Sequence, residues 1–166
     1  MSFGEDAGAD IDFSTMRGRE YPTLRQYTVF LENRVGRLLE VIRRFEHTPS
    51  RIVAMNIHDS TECSIVRFIL THPEQGREIL ERAGLAMIES DLIGVQLPYS
   101  NQPLIQVFAA LLHAEVNLVQ IYPLMVRPEC ENTVVALMCD NIELAQQVLV
   151  EEGFDLVSEN DLLEMH

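Results

Sequence analysis

The feature that most constrains the fold of this chain is an internal repeat. Residues 24–88 predict a strand, a helix, two strands, a helix and a strand, and residues 92–157 predict the same six elements in the same order. Sliding the chain by 69 positions brings Glu74 onto Glu143 and Gly84 onto Gly153 in the matching helices. A repeat of this length indicates two copies of one supersecondary unit.

Each copy has βαββαβ order, which is the ferredoxin-like arrangement of an antiparallel sheet with helices on one face. We therefore predict an α+β fold. Because a unit this small is marginal alone and edge strands tend to pair, we expect the two sheets to join side by side into one eight-stranded sheet. The predicted division is an acidic tail over residues 1–23, a first repeat over 24–91 and a second repeat over 92–166. The tail has few large apolar residues, so we expect it to be disordered.

Charge excludes several classes of partner. The net charge is −14, and all 12 basic residues are arginine. Nucleic acid and anionic membrane surfaces are disfavoured because both repel an acidic protein. The absence of lysine excludes a Schiff-base enzyme and a P-loop lysine. The apolar runs are too short to span a bilayer. The three cysteines form no motif or even set, which favours a reducing compartment and predicts a cytoplasmic protein.

Candidate catalytic and metal-binding groups are sparse. His58 and Asp59 are neighbours at a strand end, so their side chains point to opposite faces. No histidines have the spacing of metal ligands. Cys130 lies between two glutamates whose charges raise a thiol pKa. Glu159 and Asp161 are interpreted as a solvated face. We therefore predict no catalytic residue, no metal and no cofactor.

The loop after the first predicted strand resembles the signature of the ACT domain family. In that family a strand runs into Asn or Asp, a basic residue, proline, glycine, any residue and leucine. Here the same positions are Asn33, Arg34, Val35, Gly36, Arg37 and Leu38, with Val35 in place of the proline. The turn at residues 114–118 and the segment 151–158 are also similar to the family. The resemblance covers about residues 25–160 and implies a non-catalytic regulatory module that binds an amino acid between paired domains.

The resemblance also implies where the ligand binds. In similar family members, the first loop of one domain faces an Asn that enters the second strand of its neighbour. The matching residues are the loop 33–38 of the first repeat and Asn117 of the second, and we call their junction the seam. A glycine lets a ligand approach the backbone, and free helix amides attract a carboxylate. The reciprocal site would combine Pro103, which lacks an amide hydrogen, with Arg51, which can pair with an anion. We therefore predict one site per chain.

Three functions remain open from the sequence. The leading hypothesis is a homodimer that senses an amino acid and regulates a biosynthetic enzyme in trans. Similarity to small regulatory subunits, such as those of acetolactate synthase, points to branched-chain amino acids. The first alternative is a structural interaction module with decayed ligand sites, indicated by Pro103 where the second loop should carry glycine. The other is an acylphosphatase-like hydrolase that would use Asn33 and Arg34.

Overall fold

The first repeat contains four strands and two α-helices. The computed structural model describes residues 19–127 and 132–166. The elements of the first repeat are β1 (Leu24–Glu32), α1 (Arg37–Ile42) followed by a 3₁₀ helix (Arg43–Phe45), β2 (Ile52–Asp59), β3 (Cys63–Leu70), α2 (Pro73–Arg82) and β4 (Met87–Gln96). Helix α2 begins at Pro73, because a proline at the first helical position loses no hydrogen bond there.

The second repeat follows the same order. Its elements are α3 (Pro103–His113), β5 (Leu118–Pro123), β6 (Val134–Cys139), α4 (Ile142–Glu151), β7 (Asp155–Val157) and α5 (Glu159–Glu164). Helix α4 begins at the N-cap Asn141, whose side-chain oxygen accepts from the Leu144 amide at 3.1 Å. Cys130 lies outside the described residues.

The strands form one antiparallel sheet in the order β2-β3-β1-β4-β6-β5, with β7 also paired to β4. Within each repeat the strands therefore lie in the order second, third, first, fourth. This is the order of a ferredoxin-like unit, so the predicted α+β fold of two such repeats is confirmed.

The sheet has seven strands rather than the predicted eight, because β4 belongs to both repeats. Leu24 pairs with Leu92 where β4 completes the first repeat, and Ile93 pairs with Leu137 where β4 begins the second. The sequence predicts separate strands at residues 85–88 and 92–97, divided by a polar segment. In the structure that segment continues the strand, and its Asp91 forms an ion pair with Arg19 at 3.2 Å.

Both repeats contribute to a core inside the curl of the sheet. The backbone amide of Met125, after β5, donates to the carbonyl of Val53 in β2 at 2.6 Å, so the two ends of the sheet meet. Buried residues of both repeats fill this end of the curl: Leu24, Val53, Ala54, Ile69, Leu92, Tyr122, Leu124, Val134, Ala136, Val157 and Leu162. Two further cores lie between the helices and the sheet, one in each repeat.

The interpretation of Glu159 and Asp161 as a solvated face is wrong, because both residues make contacts that hold helix α5 in place. Glu159 is buried, and its carboxylate accepts from Arg25 through Nε at 2.8 Å and Nη2 at 2.9 Å. Asp161 accepts from the Ser158 amide at 2.7 Å while the Ser158 hydroxyl accepts from the Asp161 amide at 3.1 Å. This reciprocal capping box starts the helix.

The last five residues of the predicted tail have defined positions. Arg19 pairs with Asp91 and Glu143, and Thr23 is fully buried. The side-chain amide of Gln146 in α4 donates to the carbonyl of Pro22 at 2.8 Å. These contacts attach residues 19–23 to both repeats. They give protein partners to polar groups that water would hydrate in a free segment.

Candidate functional site

The loop 33–38 has the backbone that its glycine allows. Gly36 lies just before α1 with φ +83° and ψ −11°, in the left-handed region that favours glycine. A Cβ added there would have no atom within 4 Å, so glycine is favoured by the backbone conformation and not by a lack of space for a side chain. The carbonyl of Gly36 accepts from the Glu40 amide at 3.0 Å, which begins the helix. Val35, in place of the family's proline, is fully exposed.

The two arginines of the loop are held by carboxylates. Arg34 pairs with Glu32 at 3.4 Å and with Glu40 at 3.2 Å, and Arg37 pairs with Glu40 at 3.1 Å. The hydrogen bond from Arg37, followed by the charge of Arg34, lowers the pKa of the Glu40 carboxyl below its usual value. An anionic ligand at this loop would therefore compete with Glu40 for both guanidinium groups.

Asn33 and Asn117 are not brought together within one chain. The Asn33 side chain donates to the carbonyl of Ser60 at 3.0 Å, within the first repeat. The Asn117 side chain donates to Asp140 at 3.0 Å, within the second. The paired residues of neighbouring strands show how far apart the two asparagines are. Along the strand direction, the position of Asn33 is about seven residues, or roughly 23 Å, from that of Asn117. A seam that contains both residues therefore requires two copies of the chain.

The loop of the second repeat lacks the features of the first. Helix α3 begins with Pro103 at its first position, and the preceding Gln102 has φ −138° instead of the left-handed backbone of Gly36. Arg51, the other component of a reciprocal site, donates from Nη2 to the carbonyl of Leu162 at 3.3 Å and also to that of Met165. Arg51 therefore contacts the C-terminal helix, which gives this guanidinium a structural role.

Helix α3 presents an exposed apolar face beside Asn117, a feature that the sequence analysis did not identify. Ile105, Phe108 and Leu112 are 60%, 39% and 75% exposed. With Val116 and Leu118 they line a cleft of about 530 Å³ that also reaches Asn117. The spacing of three and four residues on one helix predicts such a face, but the sequence alone does not distinguish it from the buried face.

Polar groups of the types that could suggest catalysis make local contacts. Asp59 accepts from the Ser64 hydroxyl at 2.7 Å, and His72 Nδ1 lies 3.0 Å from the Thr71 hydroxyl. Burial, followed by the charge of Asp140, raises the pKa of the Cys139 thiol to about 11. Among the described residues, no group of three or more His, Cys, Asp or Glu side chains has a metal-binding arrangement. No helix in the described ranges is long and apolar enough to cross a membrane.

Comparisons with known proteins agree with this architecture. The family model for the ACT domain pair matches residues 22–166. The solved structure of protein BT0572 from Bacteroides thetaiotaomicron is 25% identical, with a TM-score of 0.76, and the match covers 86% of this chain and 96% of that chain. The ligand-free regulatory subunit of aspartate kinase from Thermus thermophilus is 12% identical, with a TM-score of 0.53, and that match covers 79% of this chain and 93% of that chain. A comparison with curated proteins finds no match. The chain belongs to the ACT domain pair family.

Proposed function

We propose that this protein is a non-catalytic regulator that binds an amino acid or a similar small carboxylate and modulates a metabolic enzyme in trans. The observation that carries the proposal is the match of the ACT domain pair model to residues 22–166. ACT domains are regulatory modules and not catalytic domains. The aspartate kinase regulatory subunit is an example of a regulatory chain with this fold.

The proposed ligand site is the seam between the loop 33–38 of one copy and Asn117 of a second copy. Gly36 supports this site because no described atom lies within 4 Å of the position of an added Cβ, which leaves space for a ligand beside the backbone. Asn117 is exposed at the edge of the apolar cleft, where its side chain can contact a molecule bound by another chain. A two-fold dimer contains two equivalent seams, which corresponds to one ligand per chain.

The apolar face of α3 supports the homodimer that this site requires. Ile105, Phe108 and Leu112 form a contiguous exposed patch, and such patches are typical of interaction sites. A second copy that covers this face would place its own residues beside Asn117. Light scattering should therefore give the mass of a dimer at micromolar concentration, and a monomer at these concentrations would contradict the proposed assembly.

A thermal-shift screen of the twenty amino acids, followed by calorimetry, tests the ligand. A ligand at 100 times its dissociation constant should stabilise the protein by about 2.7 kcal/mol. Asn117→Ala should weaken binding by about 1–3 kcal/mol, because the ligand loses a polar partner. Asn101→Ala, at the matching loop of the second repeat, is the control and should change affinity little.

Other outcomes identify the alternatives. No shift with any amino acid would favour the interaction module with decayed sites. Equal losses from Asn117→Ala and Asn101→Ala, or two amino acid molecules bound per chain, would contradict the single seam. Turnover of an acyl phosphate that disappears in Arg34→Ala would favour the hydrolase, although Arg34 pairs with Glu32 and Glu40.

A further inference from the structure

Beyond the apolar core that joins the repeats, the concave face of the curled sheet has an open cavity that is lined by both polar and apolar side chains. The buried Tyr122 hydroxyl donates to the side-chain oxygen of Gln26 at the boundary between the core and the cavity. The cavity has a volume of about 550 Å³, within the range of about 300–1,000 Å³ that is typical of small-molecule sites. We call it the sheet cavity.

Strand register brings the polar groups of the sheet cavity together. Arg67 of β3 lies opposite Thr28 of β1 on one side and Asn56 of β2 on the other. In the next row, Gln26 lies opposite Ser90 of β4. All five side chains line the cavity, because alternate residues of neighbouring strands share one face of a sheet. The five form one set of hydrogen-bonding groups although they come from four strands.

Arg67 is the charged residue of this set, and no described residue pairs with it. Within the described ranges, its guanidinium makes neither a hydrogen bond nor an ion pair, whereas Arg25 and Arg19 each pair with two carboxylates. No Asp or Glu is among the described residues that line the cavity. The positive charge of Arg67 is therefore available to a ligand in a protein whose net charge is −14.

The neighbouring polar groups are also available. Gln26 is 1% exposed and Thr28 is 8% exposed. The Gln26 oxygen accepts from Tyr122, but the described residues provide no acceptor for its amide hydrogens and no hydrogen bond for the Thr28 hydroxyl. A bound molecule that accepts from the Gln26 amide or the Thr28 hydroxyl would therefore form hydrogen bonds that the described residues do not supply. His58 and Gln120 also line the cavity, and apolar side chains complete the walls: Phe30, Ile65, Ile88, Val119 and Met138.

We propose that the sheet cavity is a second ligand site, which binds a small organic carboxylate that has an apolar body and no ammonium group. The carboxylate pairs with Arg67, since a guanidinium and a carboxylate form two parallel hydrogen bonds. An amino acid is disfavoured here because the described lining offers no carboxylate to pair with its ammonium group. The apolar body of the ligand contacts Phe30 and the residues that face it from β5 and β6.

This site is independent of the seam in the proposed function. The sheet cavity contains neither the loop 33–38 nor Asn117, and it lies on the sheet face opposite the helices. The seam requires a second copy, whereas the sheet cavity is built within one chain. Failure of one site therefore leaves the other unaffected, and the same calorimetric measurements distinguish them.

Calorimetry with the full chain tests the proposal. The probes are 4-methyl-2-oxopentanoate, 3-phenylpropanoate and hexanoate, with leucine as the matched amino acid because it has the same carbon skeleton as the first probe. We expect one probe molecule per chain and an affinity at least tenfold weaker in Arg67→Gln. The control is Arg77→Gln on the exposed face of α2, which should bind as the wild type does. Leucine should show no dependence on Arg67.

Ser90→Asp provides a second variant if Arg67→Gln does not fold. This substitution puts a carboxylate into the lining, where it repels the probe and pairs with Arg67, so binding should be lost while circular dichroism stays unchanged. Failure of all three probes to bind the wild type at millimolar concentration would overturn the proposal. So would binding that persists unchanged in Arg67→Gln or Ser90→Asp.

Discussion

Two buried tyrosines differ in whether their hydroxyl groups have a partner. Burial raises the pKa of Tyr27 to about 12, and burial also raises the pKa of Tyr122 above its usual value. The Tyr122 hydroxyl donates to Gln26. The Tyr27 hydroxyl is buried without a hydrogen-bond partner in the part of the chain that the structure describes. Burial of the two hydroxyl groups therefore has opposite consequences for stability.

Replacing each tyrosine by phenylalanine should change stability in opposite directions. Tyr27→Phe removes an unsatisfied buried hydroxyl and should raise the free energy of unfolding by about 1 kcal/mol. Tyr122→Phe removes a hydrogen bond and leaves the Gln26 oxygen unsatisfied, so it should lower that free energy by about 1–2 kcal/mol. Urea denaturation of the two variants measures both effects. A loss of stability in Tyr27→Phe would mean that its hydroxyl has a partner.

Cys139 should react slowly with alkylating reagents. Burial, followed by the charge of Asp140, raises its pKa to about 11, so its labelling rate should increase about tenfold per pH unit between about pH 8 and 11 because only the thiolate reacts. The neutral thiol is the form favoured in the folded state. The stability that this pKa shift contributes is therefore complete below the unfolded pKa of about 8.5, and it is lost as the pH rises through 11.

Mass spectrometry of the Cys139 peptide after iodoacetamide pulses measures this rate. Because the other cysteines lie on separate peptides after suitable digestion, each is quantified independently. The same experiment in urea is the control and should give the profile of an ordinary thiol. A folded-state profile centred near pH 8.5 would contradict the expected shift.

At the scale of elements, the strands and helices of both repeats could be predicted from periodicity and from proline and glycine positions. The joining of two predicted strands into β4 could not, because the polar segment at residues 89–91 has the composition of a turn. Its polarity instead reflects neighbours from other elements, such as Arg19 against Asp91. Helix α5 was missed although Ser158 and Asp161 have the capping-box spacing, a sequence signal that was available.

The two proposed ligand sites differ in how far the sequence predicts them, because one is a contiguous loop and the other depends on contacts between elements. The loop 33–38 is contiguous, so a sequence signature identifies it and the left-handed Gly36 agrees with that signature. The sheet cavity combines Arg67 with residues from other strands, and their distances depend on register and curl. Neither register nor the absence of an acidic neighbour can be derived from the residues around Arg67 in the sequence.

Helix α5 should depend on the ion pair between Glu159 and Arg25. Both side chains are largely buried, at 7% and 12% exposed. Among the described residues, Glu159→Gln leaves the Arg25 charge with Glu74 as its remaining charged partner, so it should lower the free energy of unfolding by about 3 kcal/mol. Glu164→Gln, on the exposed side of the same helix, is the control and should change it by less than about 0.5 kcal/mol. Equal stabilities of the two variants in urea would show that the pair contributes little.

At the scale of the whole molecule, the two repeats share structure that neither can complete alone. Strand β4 continues from one repeat into the other without a break, and Gly94 at its second half allows this close packing. A Cβ at Gly94 would lie 2.7 Å from Leu24 Cδ1 and 3.1 Å from Val157 Cβ, so residues of both repeats converge on it. The core inside the curl likewise draws side chains from both. Separating the repeats would expose this core to water.

The two repeats should therefore unfold as one cooperative unit. Leu149 is fully buried in the core beneath the helices of the second repeat, and Leu149→Ala should cost about 2–5 kcal/mol through lost burial and a residual cavity. If the repeats unfold together, native-state hydrogen exchange should show the same loss of protection at the Val66 amide in the first repeat as at the Leu137 amide in the second. Leu163→Ala, at a side chain that is 42% exposed, is the control and should alter both amides little. Protection that falls at Leu137 while Val66 keeps its wild-type value would mean that β4 joins two independently stable domains.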